Sequence, residues 1–158
     1  MNSNQQSPSR LLKNLMIIHL SMFSGLIFFA IVSFYARNKS EPALNPVQLE
    51  ILTYLSLIFL LIFIPLGYWL HSKKMKSIAS NLDIIAKLSI YKSSHISKIA
   101  FFEGVGFLSS IVLLFGGKNL ILIQIVIVLM FILLNIPSVS KLADELNLSP
   151  GEKDLFNS

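Results

Sequence analysis

Glu103 is the one carboxylate within the four long apolar runs of this chain, and those runs contain neither Lys nor Arg. An ionisable group at membrane depth costs several kcal/mol and normally faces a bundle interior or a wet cavity. Counted from Lys98 as a boundary, Glu103 lies about 7 Å deep by helical rise. Gly106 and Ser110 follow it on the same helical face, a small-xxx-small pair that lets helices approach closely. His19 lies one turn into the first run, His71 closes the second, and Asn135 ends the fourth. In an alternating bundle these groups share one layer with Glu103. A carboxylate beside one or two imidazoles can hold a proton near neutral pH, since each shifts the other. The layer is then a candidate proton or ion site. The same four residues also fit a structural role, as interhelical hydrogen bonds or as separate groups wetted at the interface.

The elements that position these residues follow from the runs themselves. Leu15–Tyr35, Ile51–Leu70, Ile99–Phe115 and Leu120–Ile136 fill about half of the chain. Crossing a hydrocarbon layer takes roughly 20 apolar residues, with about 17 as the lower limit. The first two runs meet that length, and the last two need a residue or two from their flanks. The sequence therefore predicts an all-α integral membrane four-helix transmembrane bundle over residues 15–136, with spans near 15–35, 51–70, 99–115 and 120–136. A hydrophobic content of 54% against 13% charged residues fits that class and departs from the soluble norm.

The charges set an orientation. Arg10, Lys13, Lys73, Lys74, Lys76, Lys87, Lys92, Lys98, Lys141 and Lys153 fall on one side of the expected membrane, and Arg37, Lys39 and Lys118 on the other. Basic segments stay cytoplasmic, so both termini are expected inside. Tyr35 and Tyr54 then mark the outer interface, and Tyr68 and Trp69 the inner one. A net charge of +5 distributed in this way points to anionic lipid headgroups rather than nucleic acid. Lys73, Lys74, Lys76 and Lys87 are the expected headgroup contacts.

Residues 1–14 are expected to be a disordered cytoplasmic N-terminus. Arg10 and Lys13 precede a run too long for a cleavable signal, which makes it a retained span. The loop Ala36–Glu50, with Pro42 and Pro46, is expected to be irregular, and Asn38-Lys39-Ser40 matches a glycosylation acceptor. Pro65, followed by Gly67, is expected to bend the second span. Residues 73–88 repeat Met75, Ile78, Ala79, Leu82, Ile85 and Ala86 at helical spacing, which predicts one amphipathic cytoplasmic helix. It would lie on the inner leaflet or continue the second span toward the C-terminal tail. Tyr91–Ser94 is expected to break that pattern, with Ser93 or Ser94 capping the third span. Gly116-Gly117-Lys118-Asn119 allows only a tight turn, so spans three and four form a hairpin.

After Pro137 the segment 137–158 is expected to be a cytoplasmic tail. Ser138 or Ser140 would cap a short helix through Leu146, and Pro150 would open a second. Its acidic residues, Asp144, Glu145, Glu152 and Asp154, are opposite in charge to the basic 73–92 segment; either the tail docks there or the two segments are solvated and independent.

No cysteine is present, which removes thiolate metal sites, disulfides and cysteine nucleophiles. No HExxH, GxSxG or phosphate-cradling glycine loop occurs. No catalytic residue, metal site or cofactor is expected. Three functional classes follow: a non-enzymatic accessory, assembly or interaction protein; an oligomeric proton- or ion-coupled channel or transporter using Glu103; and an intramembrane enzyme using His19, His71 and Glu103. Expected partners are the bilayer with its anionic inner leaflet, a second copy, or another membrane protein.

The segments Phe101-Phe102-Glu103-Gly104, Asn135-Ile136-Pro137-Ser138-Val139 and Lys141–Ser149 carry a resemblance. Over about Ile99–Glu152 the chain resembles a group of uncharacterised small four-span inner-membrane proteins of Bacteroidota-type bacteria. The resemblance implies location in the bacterial inner membrane and the number of spans.

Overall fold

Five of the six α-helices that the computed structural model places among the described residues begin at a side-chain cap, and the fourth alone does not. The structure describes residues 7–37, 44–79 and 81–156. Ser7 caps α1 (Pro8–Ala36) by accepting from the Arg10 N–H, with Pro8 in the first turn. Asn45 and Gln48 form a reciprocal capping box at the start of α2 (Pro46–Lys76). Lys73, Lys74 and Lys76 close α2, where cations complement the helix dipole. Asp83 caps α3 (Ile84–Leu114), and α4 runs from Asn119 to Leu134. Ser138 caps α5 (Val139–Leu146), and a Ser149–Glu152 capping box opens α6 (Pro150–Asp154).

Three of these helices, α1, α2 and α3, are long and apolar enough to cross a membrane, and a fourth crossing follows if α4 and α5 are taken together. That last pair bends by 77° at its break. The described residues contain no strand. The outward faces of α1, α2 and α4 are apolar, with Phe28, Leu61, Ile123 and Leu134 all exposed. A surface of this kind is stable against hydrocarbon and a liability in water.

Several boundaries differ from the sequence-based expectations. Helix α1 begins at Pro8, so residues 8–14 are helical rather than disordered, because Ser7 and Pro8 start the helix before the apolar run does. Pro46 and its neighbours, expected in an irregular loop, open α2. The Asn38–Ser40 acceptor and Pro42 lie outside the described residues. The single amphipathic helix expected over 73–88 is divided: its first part is the last turn of α2, which ends at Lys76, and its last part the first turn of α3, which starts at Ile84. Asp83 offers a stronger cap there than the apolar spacing allowed for. Consequently α3 starts ten residues before Ser94 and passes through Tyr91–Ser94 without interruption.

The core forms three tiers. At the end bearing the α1 start and α5–α6, here the terminal end, Leu12, Leu15, Leu88, Tyr91, Leu142 and Leu146 pack together. In the middle lie Leu26, Ile99, Phe102, Val105, Val128 and Ile132, each no more than 1% exposed. Beside the α3–α4 turn, the hairpin end, are Val112, Leu113, Ile121 and Ile125. Helix α3 packs against α1, α2 and α4 and is the hub of the array. Half of its most apolar window is buried, 50% against 17% for α1 and for α2.

Two glycines are required by geometry. Gly116 has φ of +96°, and a Cβ on Gly117 would lie 2.7 Å from the Val112 carbonyl oxygen. Together they make the α3–α4 turn.

Candidate functional site

The α3 register decides the site. Leu88, Tyr91, His95, Ile99 and Phe102 recur at three- and four-residue spacing and all are buried. This brings His95 against α1, where its Nε2 lies 3.1 Å from His19 Nδ1. One ring donates and the other accepts, according to tautomer. Both rings are buried, and His95 Nδ1 and His19 Nε2 are left without a full hydrogen bond. The backbone carbonyl of Ile132 is the polar group near His19.

His71, in the cytoplasm-proximal part of α2 by sequence expectation, joins the same region from the other side. Its Nδ1 is 2.9 Å from Ser94 Oγ, and its Nε2 is 2.6 Å from Glu145 Oε2 on α5. Aromatic rings link the two histidine sets. Tyr91 stacks on His95 at 5.7 Å between centroids, and His71 meets both Tyr91 and His95 edge-on at 5.7 and 6.2 Å. The result is a string of exchangeable groups, Glu145–His71, then Tyr91 and His95, then His19. It leads from a carboxylate whose side chain is 35% exposed into the helix array. It stops at the fully buried apolar tier of Leu26, Ile99 and Phe102. Hydrogen bonds join Glu145, His71 and Ser94 in one set and His95 and His19 in the other, while only ring contacts connect the two sets, so a proton shared within either set has no hydrogen-bonded path to the other among the described residues.

Charge surrounds this string. Burial raises the Glu145 carboxyl, but the hydrogen bond and charge of His71, with Lys98 and Lys141, outweigh it and hold the group below its ordinary value. Glu152 is held down at about 2 by the Ser149 backbone N–H, then by Lys87 and the Ser149 hydroxyl. Lys87 Nζ reaches Glu152 Oε1 at 2.9 Å and fastens α6 to α3. The tail thus meets the 73–92 segment through Lys87 and through His71 just before it.

The four residues anticipated as one polar layer are divided. His19 and His71 belong to the string. Asn135 caps the end of α4 instead, donating through Nδ2 to the Tyr68 hydroxyl at 2.6 Å and to the Phe131 carbonyl at 2.8 Å. Glu103 is half-buried and makes no hydrogen bond or ion pair with another described residue. Gly106 lies against α1: a Cβ there would come within 2.5 Å of Leu26. Ser110 is buried and donates to the Gly106 carbonyl. Of the basic residues expected at headgroups, Lys73 and Lys74 border one cavity and Lys76 another, while Lys87 is taken by Glu152.

His95 is the residue that sequence reasoning missed; Lys98 stands there only as a basic residue at a span boundary and Glu145 only as one of the acidic tail residues. The signal for His95 was the 3–4 spacing of Leu88, Tyr91 and Ile99, which runs straight through the segment read as a break. Glu145 stands among four acidic tail residues that oppose the basic segment, and nothing in the sequence pairs it with His71. Among the described residues, no set of three His, Asp or Glu side chains is arranged to hold a metal ion. No protein-family model, curated protein or solved structure matches this chain.

Proposed function

We propose that this is a small non-enzymatic protein of the bacterial inner membrane, an accessory or assembly protein that works by binding through its helices and terminal segments. In this reading α4 is the fourth span of a four-helix bundle, both termini are cytoplasmic, and the α2–α3 connection and the α5–α6 tail form a cytoplasmic cap. The excess of Lys and Arg at the terminal end supports that orientation. The observation that carries the binding reading is the division of labour along the axis. At the terminal end His71 pairs with Glu145 and Lys87 with Glu152, and these two pairs dock the tail. Below them the array is closed by the apolar tier.

Reconstituted protein should carry no proton flux across liposomes loaded with a pH dye, and Glu103→Gln should change nothing in that assay. Flux that Glu103→Gln abolishes would overturn the reading in favour of a proton-coupled oligomer. Glu103, which has no hydrogen-bond or ion-pair partner among the described residues and stands beside the exposed Gly104, is the support for that alternative. Orientation has a separate check. In this cysteine-free chain, Ser93→Cys should label with an impermeant reagent only from the cytoplasmic side, and Ser40→Cys only from outside.

A further inference from the structure

Lys98 is 4% exposed yet forms no hydrogen bond or ion pair with any described residue. Its Nζ lies 5.4 Å from the centre of the Tyr68 ring. Glu145 lies near enough for its charge and that of Lys98 to stabilise each other, but no acceptor among the described residues sits within hydrogen-bond distance of the ammonium, so its donors are unfilled. Lys98 borders two cavities. One, of about 400 Å³, also contains Glu145 and Asn135, and its carboxylate repels anions. The other, of about 480 Å³, lies between α2 and α3 and has no acidic residue in its wall. Lys73 and Lys74 stand in that wall with Lys98 and His71. Lys73 sits over the Trp69 ring and Lys74 makes only a 3.4 Å contact to the Ser93 hydroxyl, so both ammoniums keep donors free. The rest of the wall is apolar at Leu70 and Phe101 and polar at Ser77, Ser94 and Ser97, and it closes at Gly67. A Cβ on Gly67 would lie 3.1–3.4 Å from Phe102, Phe101 and the Lys98 carbonyl, so α2 and α3 meet there.

We propose that this cavity between α2 and α3 is a binding site for an anionic phospholipid, its headgroup phosphate held by Lys73, Lys74 and Lys98 and its glycerol and acyl carbons against Leu70 and Phe101. Three ammoniums without a carboxylate set the charge of the ligand, and the apolar wall continuing into the span favours a lipid over a free anion. The site rests on the membrane reading above.

Trp69, the sole tryptophan, reports directly on the adjacent Lys73. Full-length protein in phosphatidylcholine vesicles, titrated with brominated phosphatidylglycerol or brominated phosphatidylcholine, should show Trp69 quenched at a several-fold lower mole fraction of the anionic lipid. Each ammonium lost should lower that preference about fivefold. Lys98→Met and the Lys73→Gln/Lys74→Gln double variant should therefore lose it, whereas the charge-matched Lys76→Gln/Lys92→Gln variant should largely keep it. Equal losses in the two double variants would reduce the preference to diffuse surface attraction and overturn the site, even if Lys98→Met does not assemble. Competition by millimolar inorganic phosphate as effective as that by phosphatidylglycerol would assign the site to a free anion and overturn the lipid. Quenching by neither brominated lipid would overturn the membrane reading itself, and the site with it.

Discussion

The two ends of this helix array solve the same problem, a polar group inside an apolar protein, with different chemistry. At the hairpin end Gln124 donates to the Ser56 carbonyl at 2.7 Å, and the Ser56 hydroxyl is shared between the Thr53 carbonyl at 2.8 Å and Gln124 Oε1 at 3.2 Å, an entirely neutral set. At the terminal end the groups are imidazoles, ammoniums and carboxylates, and closing them takes two further helices, α5 and α6. A neutral amide can be satisfied by one neighbouring helix. A charge needs a counter-charge and partial access to water, which only the capped end supplies.

The sharpest way to break this contrast is through the tier that separates the ends. Gly106→Val forces atoms into the space of Leu26, which is fully buried, and should destabilise the protein by about 3 kcal/mol, the upper part of the range for overpacking. Reversible unfolding in mixed micelles measures it. Glu145→Ala removes the partner of the buried His71 Nε2 and should cost about 1–2 kcal/mol, discounted for the exposure of the carboxylate. Proteolysis of the tail should rise in step, which separates loss of docking from global loss of stability. Gln124→Leu should cost about 1 kcal/mol, as expected for an interhelical hydrogen-bonded pair in a membrane setting, and leave tail proteolysis unchanged. Lys87→Ala should cost less than about 1 kcal/mol, since Glu152 keeps its Ser149 bonds.

Acid offers a graded version of the same comparison. Glu145 and Glu152 both have folded values below their ordinary 4.5. Their contribution to docking is therefore complete above that value and is lost as pH falls through the folded values, near 2 for Glu152. Hydrogen exchange should show α5 and α6 loosening on acidification while the Gln124–Ser56 end keeps its protection. Loosening of both ends together would show that the tail is not an independent acid-sensitive element.

Helix identity was legible wherever a local rule sufficed. Ser138, Ser149 and Pro150 start the tail helices where their types predict, and Gly116 and Gly117 make the turn that two adjacent glycines allow. What could not be read was the join between α2 and α3. The apolar spacing of 73–88 is continuous in sequence, yet Asp83 starts a new helix within it, and a capping bond outranks a periodicity that either arrangement preserves. That one misplacement moved His95 and Lys98 from a loop onto the hub helix, and with them the site.

The sequence by itself determined the class: apolar runs of spanning length, charge confined to their flanks apart from Glu103, and a basic bias toward one side, all consequences of transfer free energy that need no partner to be evaluated. Only the tertiary structure decided which polar groups meet. It joined His71 to Glu145 across 74 residues and His19 to His95 across 76, and it left Glu103 apart. Depth along a helix can be counted from sequence, but the direction a side chain faces depends on which helix packs against it, and here α3 sets that for all the others.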